Sequence, residues 1–288
     1  MGETRGNTVL RPEVAVLMRP GTRIQFGVEP ERSLILPLDE SIAPGPVFSA
    51  LMAAHRGTNI TDALERAQQE AGLPERFVRA LVQDLWQADL VQREPPERPI
   101  TLIGRDGLRH GLQVALRENK PGRARLLKAL APTGTATRWL SEAPVEKLGL
   151  VVITGMEVPS LPLSRVLYQR GIAHLHATFR DGALIVGPFV PGRHGPCAMC
   201  FEAHRRIKDP ARSLLALQLR TYTPVAAKEW TNAAVSVLMG QLSRERLDHL
   251  AGTEVRVDLA ALDTQRHTVA AHPSCPVCGH GRAEMGFA

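Results

Sequence analysis

Apolar and polar positions alternate near the start of the chain and later recur at helical spacing. Residues 23–28 alternate, residues 29–32 form a polar turn, and residues 33–36 are mostly apolar, a pattern that predicts a β-hairpin. Three short helices are predicted after this hairpin, over residues 46–55, 61–71 and 74–88. Together, the strands and the three helices predict a winged-helix shape.

A proline-rich, charged stretch over residues 93–99 interrupts this pattern. Proline disrupts both helices and central strands, so the stretch is typical of a linker. We therefore expect two domains, over residues 1–95 and 96–288.

Strands and helices alternate in the second domain. Apolar runs of strand length occur at 100–103, 148–154, 174–179 and 183–186, and helical spacing occurs at 108–118 and 164–170. Longer helical stretches cover residues 200–220 and 226–249, and two strands are predicted at 255–259 and 266–270. This alternation predicts an α/β domain with a mostly parallel sheet.

Length and composition are those of a globular protein. The chain has 288 residues, of which 44% are hydrophobic and 22% charged, which permits a packed core without disulfides. Its start lacks the apolar run of a signal peptide, and no stretch approaches the roughly 18 apolar residues of a membrane span. A cytoplasmic protein is therefore expected. The net charge of +6 allows an acidic partner, nucleic acid included, without requiring one.

The four cysteines form two CxxC pairs, Cys197 with Cys200 and Cys275 with Cys278. A CxxC turn directs both sulfur atoms into one concavity, so two such turns supply the four thiolates of a tetrahedral zinc site. Two disulfides are disfavoured in a cytoplasmic protein, and a thioredoxin-like redox pair would leave the second CxxC unexplained. Because a Cys₄ site has no open coordination position, the predicted zinc is structural.

A turn containing two glycines joins the predicted strand at 100–103 to the helix at 108–118. The segment from Gly104 to Gly107 has the order strand, turn, helix that can place phosphate groups on a helix N-terminus. The middle position, usually glycine in nucleotide-binding turns of this type, is Asp106, whose negative charge would repel a polyphosphate. The residues therefore favour the alternative, a purely structural turn.

The run VGPFVPGRHGPCAMC, from Val186 to Cys200, resembles the first zinc segment of ThiF/MoeB-type adenylating proteins. More narrowly, together with residues 204–210 and 218–219, it is similar to the cyclodehydratase partner proteins of thiazole/oxazole-modified peptide biosynthesis. The N-terminal unit resembles the winged-helix peptide-recognition element fused to those proteins. The resemblance implies an α/β fold class, with an N-terminal winged-helix peptide-recognition unit followed by a Rossmann-like activating-enzyme domain that carries a Cys₄ zinc site.

The wider superfamily binds ATP and Mg²⁺ and adenylates a C-terminal carboxylate. This resemblance makes Gly104, Gly107 and Arg165 the candidate nucleotide-binding residues. Two departures argue against ATP and Mg²⁺ binding: Asp106 in the turn, and Glu157 as the only carboxylate near the place where the family has an aspartate. The narrower subfamily mainly binds a leader peptide and presents it to a separate YcaO-type enzyme, which implies a scaffold without catalysis.

The ligand implied by this resemblance is an extended peptide that adds to the edge of the small N-terminal sheet, around residues 24–28 or 33–36, beside the helix at 74–88. The candidate contacts are Ile24, Phe26, Leu34, Arg76, Arg79 and Gln83. The expected partners are a precursor leader peptide or a partner protein, such as a YcaO-type enzyme. A homodimer is also expected, because proteins of this fold commonly dimerise.

Two other functions stay open on the sequence alone. One is an ATP-dependent adenylating enzyme with a divergent site. The other is a winged-helix regulator that binds nucleic acid through Arg76, Arg79 and Gln83, which the interleaved Glu75 and Asp84 disfavour.

Overall fold

The computed structural model describes residues 7–93, 97–118, 124–244 and 246–279. Contacts between residues divide the chain into two compact units, Met1–Pro96 and Glu97–Ala288. Residues 94–96 of the predicted linker lie outside the described part. No helix in the described ranges is long and apolar enough to cross a membrane.

The described part of the first unit combines short strands with three helices. Its strands are β1 Thr8–Leu10, β2 Val16–Arg19, β3 Arg23–Phe26, β4 Leu34–Pro37 and β5 Val91–Arg93, and its helices are α1 Pro44–His55, α2 Ile60–Ala71 and α3 Glu75–Gln87. The strands β2, β3 and β4 form an antiparallel sheet in that order, and β1 pairs with β5.

Alternation along β3 decides which face of the three-stranded sheet is buried. Ile24 and Phe26 are 0% and 1% exposed and belong to one apolar core with residues of all three helices, whereas Arg23 lies on the exposed face. The predicted hairpin is present, and β3 is its inner strand because β2 pairs with the other side of β3.

The second unit contains one large sheet and six helices among its described residues. The strands are β6 Arg98–Ile103, β7 Ala124–Leu130, β8 Leu150–Thr154, β9 His174–Arg180, β10 Ala183–Val190, β11 Thr253–Asp258 and β12 Asp263–Thr268. The helices are α4 Gly107–Glu118, α5 Gly134–Glu142, α6 Leu161–Gln169, α7 Ala198–Lys208, α8 Arg212–Leu219 and α9 Lys228–Leu242.

The seven strands of this sheet follow the order β12-β11-β10-β9-β8-β6-β7. The pairings β6–β7, β6–β8 and β8–β9 are parallel, whereas β9–β10, β10–β11 and β11–β12 are antiparallel. The prediction of a mostly parallel sheet is therefore wrong for half of the pairings. Asp181 and Gly182 form a two-residue turn with φ of 48° and 77°, and so tight a turn can join only antiparallel strands.

Helices cover both faces of the parallel half of the sheet. On one face Leu102 and Val152 pack with Leu112 of α4 and Leu238 of α9. On the other face, alternate strand residues pack with α5 and α6; this second cluster includes Ile103, Val151, Ile153, Leu140, Leu163 and Leu167. Burial from both sides explains why β8 is apolar along most of its length.

The structure divides the helical stretch predicted over residues 200–220 into α7 and α8. The break falls at Asp209 and Pro210. The Asp209 carboxylate accepts a hydrogen bond from the Ala211 backbone N–H at 2.9 Å, and Pro210 has no N–H to continue the helical pattern. The strand β7 and the helix α5 were not predicted from the sequence.

Candidate metal centre and neighbouring sites

The four cysteines converge on one buried point of the second unit. Cys197 and Cys200 lie at the start of α7, where the Cys200 N–H donates to the Cys197 carbonyl at 2.9 Å. Cys275 and Cys278 lie in a turn closed by the Gly279 N–H, which donates to the Cys275 carbonyl at 2.9 Å. A Cβ atom at Gly279 would lie 2.5 Å from a backbone carbonyl oxygen, so the turn requires glycine there.

The sulfur atoms are spaced for a tetrahedral metal ion. The Sγ atoms of Cys197 and Cys200 are 4.0 Å apart, and Cys197 lies 3.6 Å from Cys275 and 3.8 Å from Cys278. Four Zn–S bonds of about 2.3 Å at tetrahedral angles separate sulfur atoms by about 3.8 Å. A disulfide would need about 2.0 Å, so the thiols are free. The residues thus fit one metal ion, which would join segments 78 positions apart.

The surroundings of Cys200 favour its thiolate form. Hydrogen bonding with Cys197 lowers the pKa of Cys200, and the His272 backbone N–H, which donates to Cys200 Sγ at 3.4 Å, lowers it further. The positive end of the α7 dipole also lies at the first pair. Tyr168 and Val277 are among the apolar neighbours packed against the cysteines. A metal ion binds cysteines as thiolates, so metal binding would itself release the remaining thiol protons.

Arg165, a candidate nucleotide-binding residue, contacts the second cysteine segment. Its Nε donates to the Pro276 carbonyl at 3.4 Å, from the middle of α6. Pro276 lies between Cys275 and Cys278, so this hydrogen bond helps to hold the turn that presents both sulfur atoms. This structural role was not expected from the sequence.

The turn from Gly104 to Gly107 is closed by Asp106. The Asp106 Oδ1 atom accepts hydrogen bonds from the Arg109 N–H at 3.2 Å and from Thr154 Oγ1 at 2.6 Å. Asp106 is therefore the N-cap of α4, and it takes an N–H group that a bound phosphate would otherwise use. A Cβ atom at Gly104 would lie 2.1 Å from Thr154 Oγ1 at the end of β8. The close approach of β8 therefore explains why this position is a glycine. Burial raises the pKa of the Asp106 carboxyl.

A buried network of glutamates and arginines, the Glu–Arg network, begins two positions after Cys200. Glu202 is 0% exposed and accepts hydrogen bonds from Arg212 at 3.0–3.2 Å. Glu157 accepts two hydrogen bonds from Arg180, at 2.8 and 3.0 Å. The full set is Glu157, Glu202, Glu254, Arg180, Arg205, Arg206 and Arg212. The network joins α7 and α8 to the ends of β8, β9 and β11.

Sequence reasoning missed the Glu–Arg network, although one signal was present. Arg180 and Glu254 are charged residues directly next to the predicted strands 174–179 and 255–259, and a buried charge needs a partner. The signal could not name that partner, because Arg180 and Glu254 are 74 positions apart. In the structure, Glu157 forms an ion pair with Arg180. A carboxylate that is already paired in this way is poorly suited to hold a magnesium ion.

The candidate peptide-binding residues are divided between the core and the surface of the first unit. Ile24 and Phe26 are buried, and β3 is paired on both sides, so residues 23–26 offer no free strand edge to a ligand, whereas Val28, after the end of β3, is 70% exposed. Leu34 is 43% exposed and Ile35 is 41% exposed on β4, which is an outer strand of the sheet among the described residues. Of the two predicted edges, only the one at residues 33–36 is accessible.

The three predicted residues of α3 are spaced i, i+3 and i+7 and therefore lie on one exposed side of the helix. Arg79 forms an ion pair with Glu75 and lines, with Glu75 and residues of α2, a cavity of about 420 Å³. Arg76 instead lies near Asp39, just after β4: the pKa of Asp39 is lowered chiefly by hydrogen bonds from Ser41, and the Arg76 charge lowers it further. Gln83, seven positions after Arg76, lies on nearly the same side of the helix. The same side of α3 thus presents all three side chains, with Arg79 beside α2 and Arg76 acting on Asp39.

Comparisons with known proteins identify the fold. No protein-family model matches the chain, and no curated protein matches its sequence. Among solved structures, the heterocyclase TruD has a TM-score of 0.59 and 14% identity over 95% of this chain and 43% of its own. A heterocyclase in complex with substrate and cofactor has a TM-score of 0.60 and 14% identity, over 96% of this chain and 40% of its own. E. coli MccB, solved with ATP, has a TM-score of 0.55 and 10% identity over 94% of this chain and 99% of its own.

At these identities the comparisons establish the fold and leave the activity open. This chain spans less than half the length of the two heterocyclases and nearly the whole of MccB. The matched regions cover 94–96% of this chain and therefore include parts of both units.

Proposed function

We propose that this protein is a non-catalytic scaffold that binds an extended peptide at the free edge of β4. The observation that carries the proposal is the exposed apolar edge formed by Leu34 and Ile35. An outer strand offers unpaired backbone groups, and native proteins usually protect such edges with charged residues or proline. Here Pro37 stands at the far end, and the residues before it are apolar. A peptide strand can add to such an edge by backbone hydrogen bonds.

The neighbourhood of β4 supports a binding groove beside α3. At the start of β4, Leu34 lines a cavity of about 540 Å³ together with Ala88 and Leu90, which follow α3. After the end of β4, Asp39 lies near Arg76 in the first turn of α3. These two relations link the start of β4 to the residues after α3, and the residues after β4 to the first turn of α3. A peptide strand between β4 and α3 would contact Leu34 at one end and Arg76 at the other, with Gln83 between them.

The second unit, in this proposal, is a Rossmann-like activating-enzyme domain without catalysis, and the first is a winged-helix peptide-recognition unit. Asp106 supports the absence of catalysis, because it caps α4 with its own carboxylate. The spacing of the sulfur atoms supports structural zinc as the metal. The peptide would be a precursor leader presented to a partner protein such as a YcaO-type enzyme. A homodimer is part of the proposal, and a monomeric mass in light scattering would contradict it.

The test compares two edges of the same sheet. Peptides of 12 residues are selected by display against the full chain, and their Kd is measured by fluorescence anisotropy. Leu34→Asp should weaken binding at least tenfold, because it removes apolar contact and places a desolvated charge in the groove. Met18→Asp is the matched control: Met18 is 45% exposed on β2, the opposite outer strand.

Equal affinity of both variants, or loss of binding only in Met18→Asp, would exclude the β4 edge. ATP–pyrophosphate exchange by the wild-type protein would contradict the non-catalytic scaffold and support an adenylating enzyme.

A further inference from the structure

A cleft of about 970 Å³ opens in the second unit where the parallel strands end. Its walls contain Arg105 after β6, Pro132 after β7 and residues 154–162 at and after the end of β8. Residues of α7 and α8, residues 220–223 and Pro276 complete the lining. In open α/β sheets, ligands bind in crevices at the carboxyl ends of the strands. The position alone therefore makes this cleft a candidate binding site, separate from the β4 edge.

The charges of the cleft favour an anionic ligand. Its cationic lining residues are Arg105, Arg206 and Arg220, and Glu157 is the one acidic residue among the lining residues that the structure describes. Glu157 is 7% exposed and bound to Arg180, so little of its charge faces the cleft. Within the described ranges, Arg105 and Arg220 form no ion pair. Arg105 and Arg220 are exposed, and cations that line a concave surface raise the local concentration of anions.

The apolar part of the lining is too extended for a simple inorganic anion. Met156, Leu161 and Met199 line the cleft, and Leu217 and Tyr222 line it while remaining 57% and 55% exposed. On α8 the apolar surface continues outside the cleft at Leu214, which is 62% exposed. A ligand that covers this surface needs apolar groups on both sides of the cleft rim, as a polypeptide chain has.

A nucleotide does not suit the cleft as well as an acidic peptide does. The N-terminus of α4, which would hold phosphate groups, is capped by the Asp106 carboxylate. That buried carboxylate would lie next to a bound polyphosphate and repel it. Carboxylates on a peptide could instead reach Arg105 and Arg220 without approaching the helix end.

We propose that this cleft binds an acidic, apolar polypeptide segment, whose carboxylates contact Arg105 and Arg220 and whose apolar side chains cover Leu217 and Tyr222. The site is a second docking surface, and this proposal does not depend on peptide binding at β4.

Methionine methyl NMR on the full chain tests the proposal. Met156 and Met199 report on the cleft, and Met18 and Met52 report on the first unit. The probes are a mixture of capped hexapeptides of Asp, Glu, Leu and Phe, the matched mixture with Lys and Arg as its charged residues, and a non-hydrolysable ATP analogue with Mg²⁺.

The acidic mixture should shift the Met156 and Met199 signals in a saturable, salt-sensitive way. The double variant Arg105→Ala, Arg220→Ala should weaken this binding about tenfold, and the exposed control Arg138→Ala should leave it unchanged. The proposal is overturned if the acidic mixture causes no shift, if the basic mixture causes an equal one, or if only the ATP analogue acts on the cleft. Shifts confined to Met18 or Met52 would also overturn it, while leaving the β4 proposal intact.

Discussion

Removal of one buried charge from the Glu–Arg network should destabilise the second unit strongly. Glu202→Gln keeps the shape of the side chain and removes its charge. Glu202 is 0% exposed, and its nearest partner Arg212 is only 12% exposed and lies at 3.0 Å. Breaking a buried ion pair by neutralising one partner costs about 3–5 kcal/mol, because the other charge is left in a low-dielectric environment.

Three features place the expected loss at the low end of that range. Arg212 also lies 3.8 Å from Glu157, so it keeps one anionic neighbour. Arg206 is 49% exposed and is rehydrated easily. The carbonyl oxygen of the new glutamine still accepts a hydrogen bond from Arg212. We therefore expect a loss of about 3 kcal/mol, which corresponds to a decrease in Tm of about 6–12 °C for a domain of this size.

Urea unfolding followed by circular dichroism measures this change, with Glu142→Gln as the control. Glu142 is exposed at the end of α5, so its neutralisation should change stability by less than about 0.5 kcal/mol. The double variant Glu202→Gln, Arg212→Gln should be less destabilised than the sum of the two single variants, by about 2 kcal/mol. A loss below about 1 kcal/mol in Glu202→Gln, or strict additivity in the cycle, would refute the reasoning.

Three further predictions concern the metal centre, the glycine turn and two buried histidines. Cys275→Ser should lose bound metal and unfold at a lower temperature, as measured by elemental analysis and calorimetry. The control Ser274→Ala, at an exposed neighbouring position, should keep its metal and its unfolding temperature. Full metal content in Cys275→Ser would contradict a Cys₄ site. Gly104→Ala should lower the free energy of unfolding by about 1–3 kcal/mol, because its Cβ would lie 2.1 Å from Thr154 Oγ1. In the control Gly134→Ala the new Cβ meets nothing within 4 Å, so this variant should be tolerated. Equal unfolding free energies of the two variants would count against the close approach of Gly104 and Thr154. Burial lowers the pKa of His176 to about 3 and that of His174 to about 4, so the unfolded chain binds these protons first and stability falls as the pH drops below about 6.5. Between pH 7 and pH 5, His176→Leu should therefore lose about 2 kcal/mol less unfolding free energy than the wild type, and identical losses would show that His176 is not buried in its neutral form.

Local patterns in the sequence predicted those features that depend on neighbouring residues. Alternation at residues 23–36 predicted the hairpin because side chains of a strand point to opposite faces in turn. The two CxxC spacings predicted the sulfur cluster because each turn fixes the position of its own two sulfur atoms, and two such pairs together supply the four ligands of one possible metal site. An N-cap at Asp106 was also predictable in principle, because aspartate before a helix is a common cap.

Only the tertiary structure decided which long-range partners each element acquired. The order of strands made β3 inner and β4 outer, so Ile24 and Phe26 became core residues and Leu34 remained exposed. Arg165 contacts the second cysteine segment 111 positions later, and Arg180 contacts Glu254 74 positions later. Side-chain periodicity indicates which face of a helix or strand is buried, but it does not indicate which other element packs against that face. The sequence therefore determined most of the elements and the candidate metal ligands, whereas packing between distant segments determined the accessible edge and the Glu–Arg network.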